Sequence, residues 1–251
     1  MGAKTGISWT DATWNPWLGC TKVSPGCDSC YMFREQEHYG NDPNIVRRSK
    51  TKFRDPLKWK DSRRVFTCSW GDFFHADADA WREEAWDIIR RTPHLTYQIL
   101  TKRHARIERA LPKDWGTGYP NVWLGVSVED DDWAYRRIPV LMRIPATVRF
   151  LSIEPMLGPV DLTPFLPPMG GPGWLSAYRP MNYDGEPLIH WVICGGESGP
   201  GHRDMLLRWA RSLRDQVTGA GIPFFFKQIS DSRSGQPSGE PELDRWKEFP
   251  R

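Results

Sequence analysis

At 251 residues the chain is long enough to bury a substantial core, as one large α/β domain or two smaller ones. Hydrophobic residues make up 39% and charged residues 26%, the balance of a soluble globular protein, and no run approaches the roughly 20 apolar residues of a membrane span. The net charge of +3 is too small to mark a nucleic-acid binder by itself, and Met1 to Trp9 lack the basic start and apolar centre of a signal peptide, so the expected compartment is the cytoplasm.

In chain order, β-branched and aromatic runs predict strands near Thr13 to Leu18, Val65 to Trp70, Tyr97 to Thr101, Val122 to Val128, Val148 to Ile153, Trp191 to Cys194 and Pro223 to Lys227. Helical spacing predicts Tyr31 to Tyr39, Ala78 to Arg91, Arg103 to Leu111, Asp131 to Met142 despite Pro139, and Leu206 to Val217. In Ala78 to Arg91, Trp81, Ala85, Ile88 and Ile89 form one apolar face. Strand followed by helix, repeated about seven times, predicts an α/β fold. The expected form is a partial or irregular (β/α) TIM-like barrel of about six to seven parallel strands, a single domain over 1–251. Residues 161–188 carry six prolines and four glycines and read as a lid-like insertion, and 230–251 as a peripheral polar tail.

Parallel α/β folds gather ligands at the carboxyl ends of strands. Those ends carry the loop after Cys20, Ser69 with Asp72, Lys102 with Arg103, Ser127 with Glu129, Glu154, the run Gly195-Gly196-Glu197-Ser198, and Lys227 with Gln228. The glycine run lacks the phosphate-loop pattern and suits close backbone approach to a ligand or a tight turn.

Three of the five cysteines, Cys20, Cys27 and Cys30, are spaced C-x6-C-x2-C. A reducing compartment favours a metal site over disulfides. Two assignments compete: zinc with His38 as fourth ligand, or a four-iron, four-sulfur (4Fe-4S) cluster with one iron open to a small molecule. Cys68 and Cys194 lie in apolar runs and read as packing residues.

From Arg47 to Arg64 nine basic residues face two acidic ones, a local charge of +7, with Phe53 and Trp59 interleaved. Such a composition suits phosphate contacts with base stacking, by Arg47, Arg48, Lys50 and Lys52 above all, or else a solvated connector.

Thr13 to Cys20 and Ser24 to Tyr31 resemble a phage-associated three-cysteine-motif family of largely unassigned function. So do Leu100-Thr101-Lys102-Arg103, Leu124 to Glu129, Ser152-Ile153-Glu154-Pro155, Gly195 to Pro200 and Phe224 to Gln228. That family in turn resembles the radical S-adenosylmethionine (SAM) enzymes, although their usual first gap is three residues and here it is six. The resemblance implies that Cys20, Cys27 and Cys30 ligate three irons and that SAM occupies the fourth. It implies cofactor contacts from Ser69, Asp72, Lys102, Ser127, Glu129, Gly195 and Gly196, with Glu154 and Glu197 facing substrate and Cys68 or Cys194 returning a hydrogen atom. The implied activity is repair or modification of a nucleic acid or nucleotide-like substrate, served by an external electron donor and accompanied by a companion protein. The alternative is a non-catalytic, zinc-stabilised nucleic-acid-binding protein.

Overall fold

The computed structural model describes residues 4–167 and 188–250. The chain divides into two compact units, Met1–Gly125 with Ile144–Thr147, and Val126–Arg143 with Val148–Arg251. In chain order the first holds β1 (Ala12–Trp14), β2 (Trp17–Leu18), α1 (Tyr31–His38), β3 (Arg47–Arg48), β4 (Arg63–Thr67), α2 (Asp79–Arg91) and β5 (Leu95–Thr101). The strand β6 (Val122–Ser127) begins in the first unit and ends in the second. The second continues with α3 (Asp131–Arg143), β7 (Val148–Ile153), β8 (Trp191–Gly195), α4 (Leu207–Gly219), β9 (Phe224–Gln228) and α5 (Pro241–Asp244).

Seven strands form one sheet in the order β1-β4-β5-β6-β7-β8-β9, the α/β, partial-barrel class that the alternation of strands and helices implies. Strands β2 and β3 pair separately as an antiparallel ladder. Most strand positions are buried, as expected of a parallel sheet covered on both faces. All five residues of β8 are buried, as are five of the seven in β5. Register layers the first unit as Ala12, Val65 and Tyr97 across β1, β4 and β5. In the second, Val192 on β8 stands level with Leu151 on β7 and Phe224 on β9.

Four expectations change. Thr13 to Leu18 is not one strand but two, β1 in the main sheet and β2 in the antiparallel pair. Arg103 to Leu111 is not a helix but two 3-10 turns, His104–Arg106 and Glu108–Ala110. Arg103 N is tied to Thr101 Oγ1, Arg106 Nε to Phe74 O, and Leu111 precedes a proline, which disfavours helical backbone there. On α2 the buried face is Arg82, Ala85, Trp86, Ile88 and Ile89, not one containing Trp81. Arg82 enters it because its guanidinium satisfies the carbonyls of Phe73 (2.9 Å) and His75 (2.5 Å).

The polar tail is not peripheral. Leu243 is fully buried, Trp246 O accepts from Phe226 N (2.9 Å), and Lys247 bridges antiparallel to Phe225. Phe249 packs on Trp191 and Phe225 with ring centroids 5.4 and 5.3 Å away, and Glu248 O accepts from Trp191 Nε1 (2.8 Å). These contacts cover the β9 edge of the sheet, an edge that would otherwise be open to pairing. Of the insertion at 161–188, only 161–167 and 188 fall within the described residues. Leu243→Ala is expected to lower the unfolding free energy by about 3 kcal/mol, read by urea denaturation. A peripheral tail would leave it unchanged.

Candidate functional site

In the first unit, the carboxyl ends of β1, β4 and β5 gather around the cysteine loop. Asn15, just past β1, fixes the turn after β4: its Nδ2 donates to Ser69 Oγ (3.0 Å) and its Oδ1 accepts from Trp70 N (2.8 Å). Gly19 N donates to Trp70 O (3.0 Å), and Gly19 pairs with Gly71 as a parallel bridge. Gly19 has φ +96°, and a Cβ there would overlap the Ile45 carbonyl, reaching 2.9 Å from its carbon. Only glycine lets the chain turn into Cys20 at this point. Cys20 N then donates to Pro43 O (2.9 Å). A 3-10 turn, Pro25–Cys27, carries Cys27, and Cys30 stands at the N-terminus of α1. Tyr31 OH donates to Ser69 O (2.5 Å), tying the start of α1 to the turn after β4.

Asp72 locks this arrangement. Its buried carboxylate accepts from Thr101 Oγ1 (2.7 and 2.9 Å), Phe74 N (2.9 Å) and Lys102 N (3.1 Å). The carboxylate expected to contact a cofactor is therefore occupied on both oxygens as a clamp between β4 and β5. Arg103, held by that clamp, places Nη2 2.7 Å from Thr21 O, 2.8 Å from Thr21 Oγ1 and 3.5 Å from Cys20 Sγ. His75 Nδ1 accepts from Asp77 N (3.2 Å), which puts the ring proton on Nε2, where it donates to Thr21 Oγ1 (3.1 Å). Burial, then the Arg103 cation, lowers the His75 pKa and keeps the ring neutral.

All five cysteines are free thiols. Burial pushes the Cys20 thiol up to about 12, reinforced by Asp72 and opposed by the Arg103 hydrogen bond. Burial also raises Cys30, against the nearby Lys102 cation, and Cys27 bears electrostatically on both. The donor set therefore fits a metal centre in chemistry: three thiols in one loop, the middle one bearing on the other two, with the charges of Arg103 and Lys102 able to balance thiolates. Among the described residues no group of three or more His, Cys, Asp or Glu side chains is already arranged around a point. His38 lies about 12 Å further along α1 from Cys30, exposed and edge-on to Tyr39 (5.3 Å), so it is not the fourth ligand that a zinc site would need. Cys68 is buried, follows β4 with φ +64°, and has its pKa raised by burial and then by Asp72.

In the second unit, Glu129 and Arg137 form an ion pair with no exposed surface, Nη1 to Oε1 3.0 Å. The same Nη1 donates to Ser127 O (2.9 Å), and the guanidinium lies over the Trp133 ring at 4.0 Å. Glu154 pairs with Lys227, and Gly195 fits beside them, where a Cβ would stand 3.4 Å from Glu154 Cδ. Glu197 is bound by Arg203 through its backbone N (2.9 Å), Nε (3.1 Å) and Nη2 (2.8 Å). Gly196 is required by close approach, but to this chain's own backbone: a Cβ would overlap Ser230 N and reach 2.7 Å from Ile229 C. Cys194 is fully buried, 3.9 Å from Met156 Sδ, its pKa raised by burial and then by Glu154.

The basic segment is less available than its composition implies. Phe53 is core, 3% exposed, with Arg48 stacked over it at 4.0 Å, so it offers no base-stacking face. Arg48 and Arg54 pair with Glu84, Arg64 with Asp11, and Lys52 with Asp55. Arg47 is bound to Gln36 Oε1, whereas Lys50 is exposed.

Sequence reasoning missed Thr21, His75, Arg137 and Arg203 as members of these networks. An arginine is legible as a partner only once the fold shows which carboxylate or carbonyl it reaches.

A family model described as "Protein of unknown function (DUF5131)" matches residues 4–247. No curated protein and no solved structure matches the chain.

Arg137→Met strands a buried carboxylate and is expected to cost about 3–5 kcal/mol of stability by urea denaturation. The double variant with Glu129→Leu should recover much of that loss. Equal stability of Arg137→Met and the parent protein would show that the pair is not buried as described.

Proposed function

The chain belongs to the DUF5131 family, and we propose that it is an iron–sulfur enzyme of the radical SAM kind, acting on a nucleic acid or nucleotide-like substrate. The observation that carries this reading is the loop of three free thiols, Cys20, Cys27 and Cys30, at the carboxyl ends of parallel strands beside Lys102 and Arg103. When bound, a four-iron, four-sulfur cluster with SAM supplies a 5′-deoxyadenosyl radical by one-electron cleavage of the sulfonium carbon–sulfur bond, the electron coming from an external donor.

The residues of the first unit then have separable tasks. Cys20, Cys27 and Cys30 would hold three irons, leaving the fourth to the amino and carboxylate groups of SAM. Lys102, whose charge bears on Cys30, would pair with the carboxylate of SAM. Ser69, held by Asn15 and Tyr31, presents a rigid turn beside the loop. Asp72 through its carboxylate and Gly19 through its backbone fix where the loop begins and what it faces. Within the second unit, Glu154 with Lys227 and Glu197 with Arg203 are paired polar groups at the carboxyl ends of β7, β9 and β8. The substrate class rests on the basic surface from Arg47 to Arg64, where Arg48, Lys50 and Lys52 are exposed.

Purified without oxygen and reconstituted with iron and sulfide, the protein is expected to be brown and to release 5′-deoxyadenosine from SAM under reducing conditions. Replacing Cys20, Cys27 or Cys30 with alanine should abolish both. A colourless protein holding one zinc, with no 5′-deoxyadenosine released, would contradict the proposal. Binding to a fluorescent single-stranded oligonucleotide should weaken steeply with salt and weaken further when Arg47, Arg48, Lys50 and Lys52 are replaced by alanine. Affinity insensitive to salt and to these replacements would remove nucleic acid as the substrate class.

A further inference from the structure

We propose that Arg103 is a positioning residue for the cysteine loop: it fixes the Cys20–Thr21 peptide and donates an N–H to the Cys20 sulfur, so that a cluster seated there is easier to reduce. This rests on the iron–sulfur assignment above and adds to it a residue with a defined physical task.

The geometry points to Arg103 for three reasons. Its Nη2, with two N–H groups, lies within hydrogen-bond distance of three acceptors on the loop, Thr21 O at 2.7 Å, Thr21 Oγ1 at 2.8 Å and Cys20 Sγ at 3.5 Å, so one N–H is shared. Its side chain is only 12% exposed, so a cation is held against a thiol where solvent does little to screen it. Its own placement is fixed by the β5 terminus, because Arg103 N donates to Thr101 Oγ1 (2.8 Å) and Thr101 Oγ1 is bound to Asp72. A planar guanidinium can meet the loop with one nitrogen while Nε stands 4.0 Å from Asp72, which an ammonium on a flexible stem cannot reproduce.

The consequence follows from charge. Three thiolates make the loop anionic when a cluster is bound, and reduction adds one more negative charge. A fixed cation with an N–H directed at a ligand sulfur stabilises the reduced form more than the oxidised one and moves the potential upward. Thr21 carries the other half of the task, since it receives Arg103 Nη2 and His75 Nε2 together and so anchors the residue following the first ligand.

The test compares the parent protein with Arg103→Gln, Arg103→Lys and Thr21→Val. Two quantities are read: the midpoint potential of the anaerobically reconstituted cluster by optical redox titration, and amide hydrogen exchange across residues 20–30 in the metal-free protein. Arg103→Gln should give a lower potential and faster exchange. Arg103→Lys, which keeps the charge and loses the planar contact, should show faster exchange even if Arg103→Gln fails to fold. Thr21→Val should speed exchange while moving the potential little. Parent-like exchange and potential in both Arg103 variants would overturn the inference. Faster exchange with an unchanged potential in a loaded Arg103→Gln protein would overturn its sulfur-donor half. Failure of the parent protein to take up a cluster would instead overturn the functional assignment, and the exchange measurement would still decide the positioning half.

Discussion

One buried carboxylate holds the candidate site together. Asp72 accepts hydrogen bonds from Thr101 Oγ1, Phe74 N and Lys102 N. The strand ends of β4 and β5 are thereby joined. A carboxylate buried this deeply is tolerable only when its oxygens are met by donors, and here they are. Lys102 and Arg103 project from the segment it anchors. Without Asp72 the two cations near the thiols would have no fixed origin.

The parallel sheet was legible in the sequence because most positions along its strands are buried and rich in β-branched and aromatic residues. Val148 to Ile153 matches β7 residue for residue, and Ala78 to Arg91 places α2 to within one residue. Its buried face was harder to read. Arg82 looks like a solvent residue until the carbonyls of Phe73 and His75 are seen to need its donors. The tail misled for a related reason. A polar segment carrying Leu243, Trp246 and Phe249 reads as peripheral unless the exposed edge of β9 is known to be waiting for it.

Candidate site residues divide in the same way. The cysteine triplet stands out because close cysteine spacing in one chain is rare without a purpose. Asp72, Glu197 and Gly196 also stood out, yet each spends its capacity on this chain: Asp72 on the β4–β5 clamp, Glu197 on Arg203, and Gly196 on the approach to Ile229 and Ser230. Strand-end position suggests such residues, but only the partner decides between holding the scaffold and meeting a ligand. Phe53 shows the converse. Its basic neighbours suggested a stacking platform, and its burial under Arg48 makes it core.

The central claim is that the cysteine loop holds a cluster with one iron open to SAM. It is tested most directly by electron paramagnetic resonance of the anaerobically reduced, reconstituted protein before and after SAM is added. The account predicts a reduced-cluster resonance whose line shape changes when SAM binds. No resonance, or one indifferent to SAM, would contradict it.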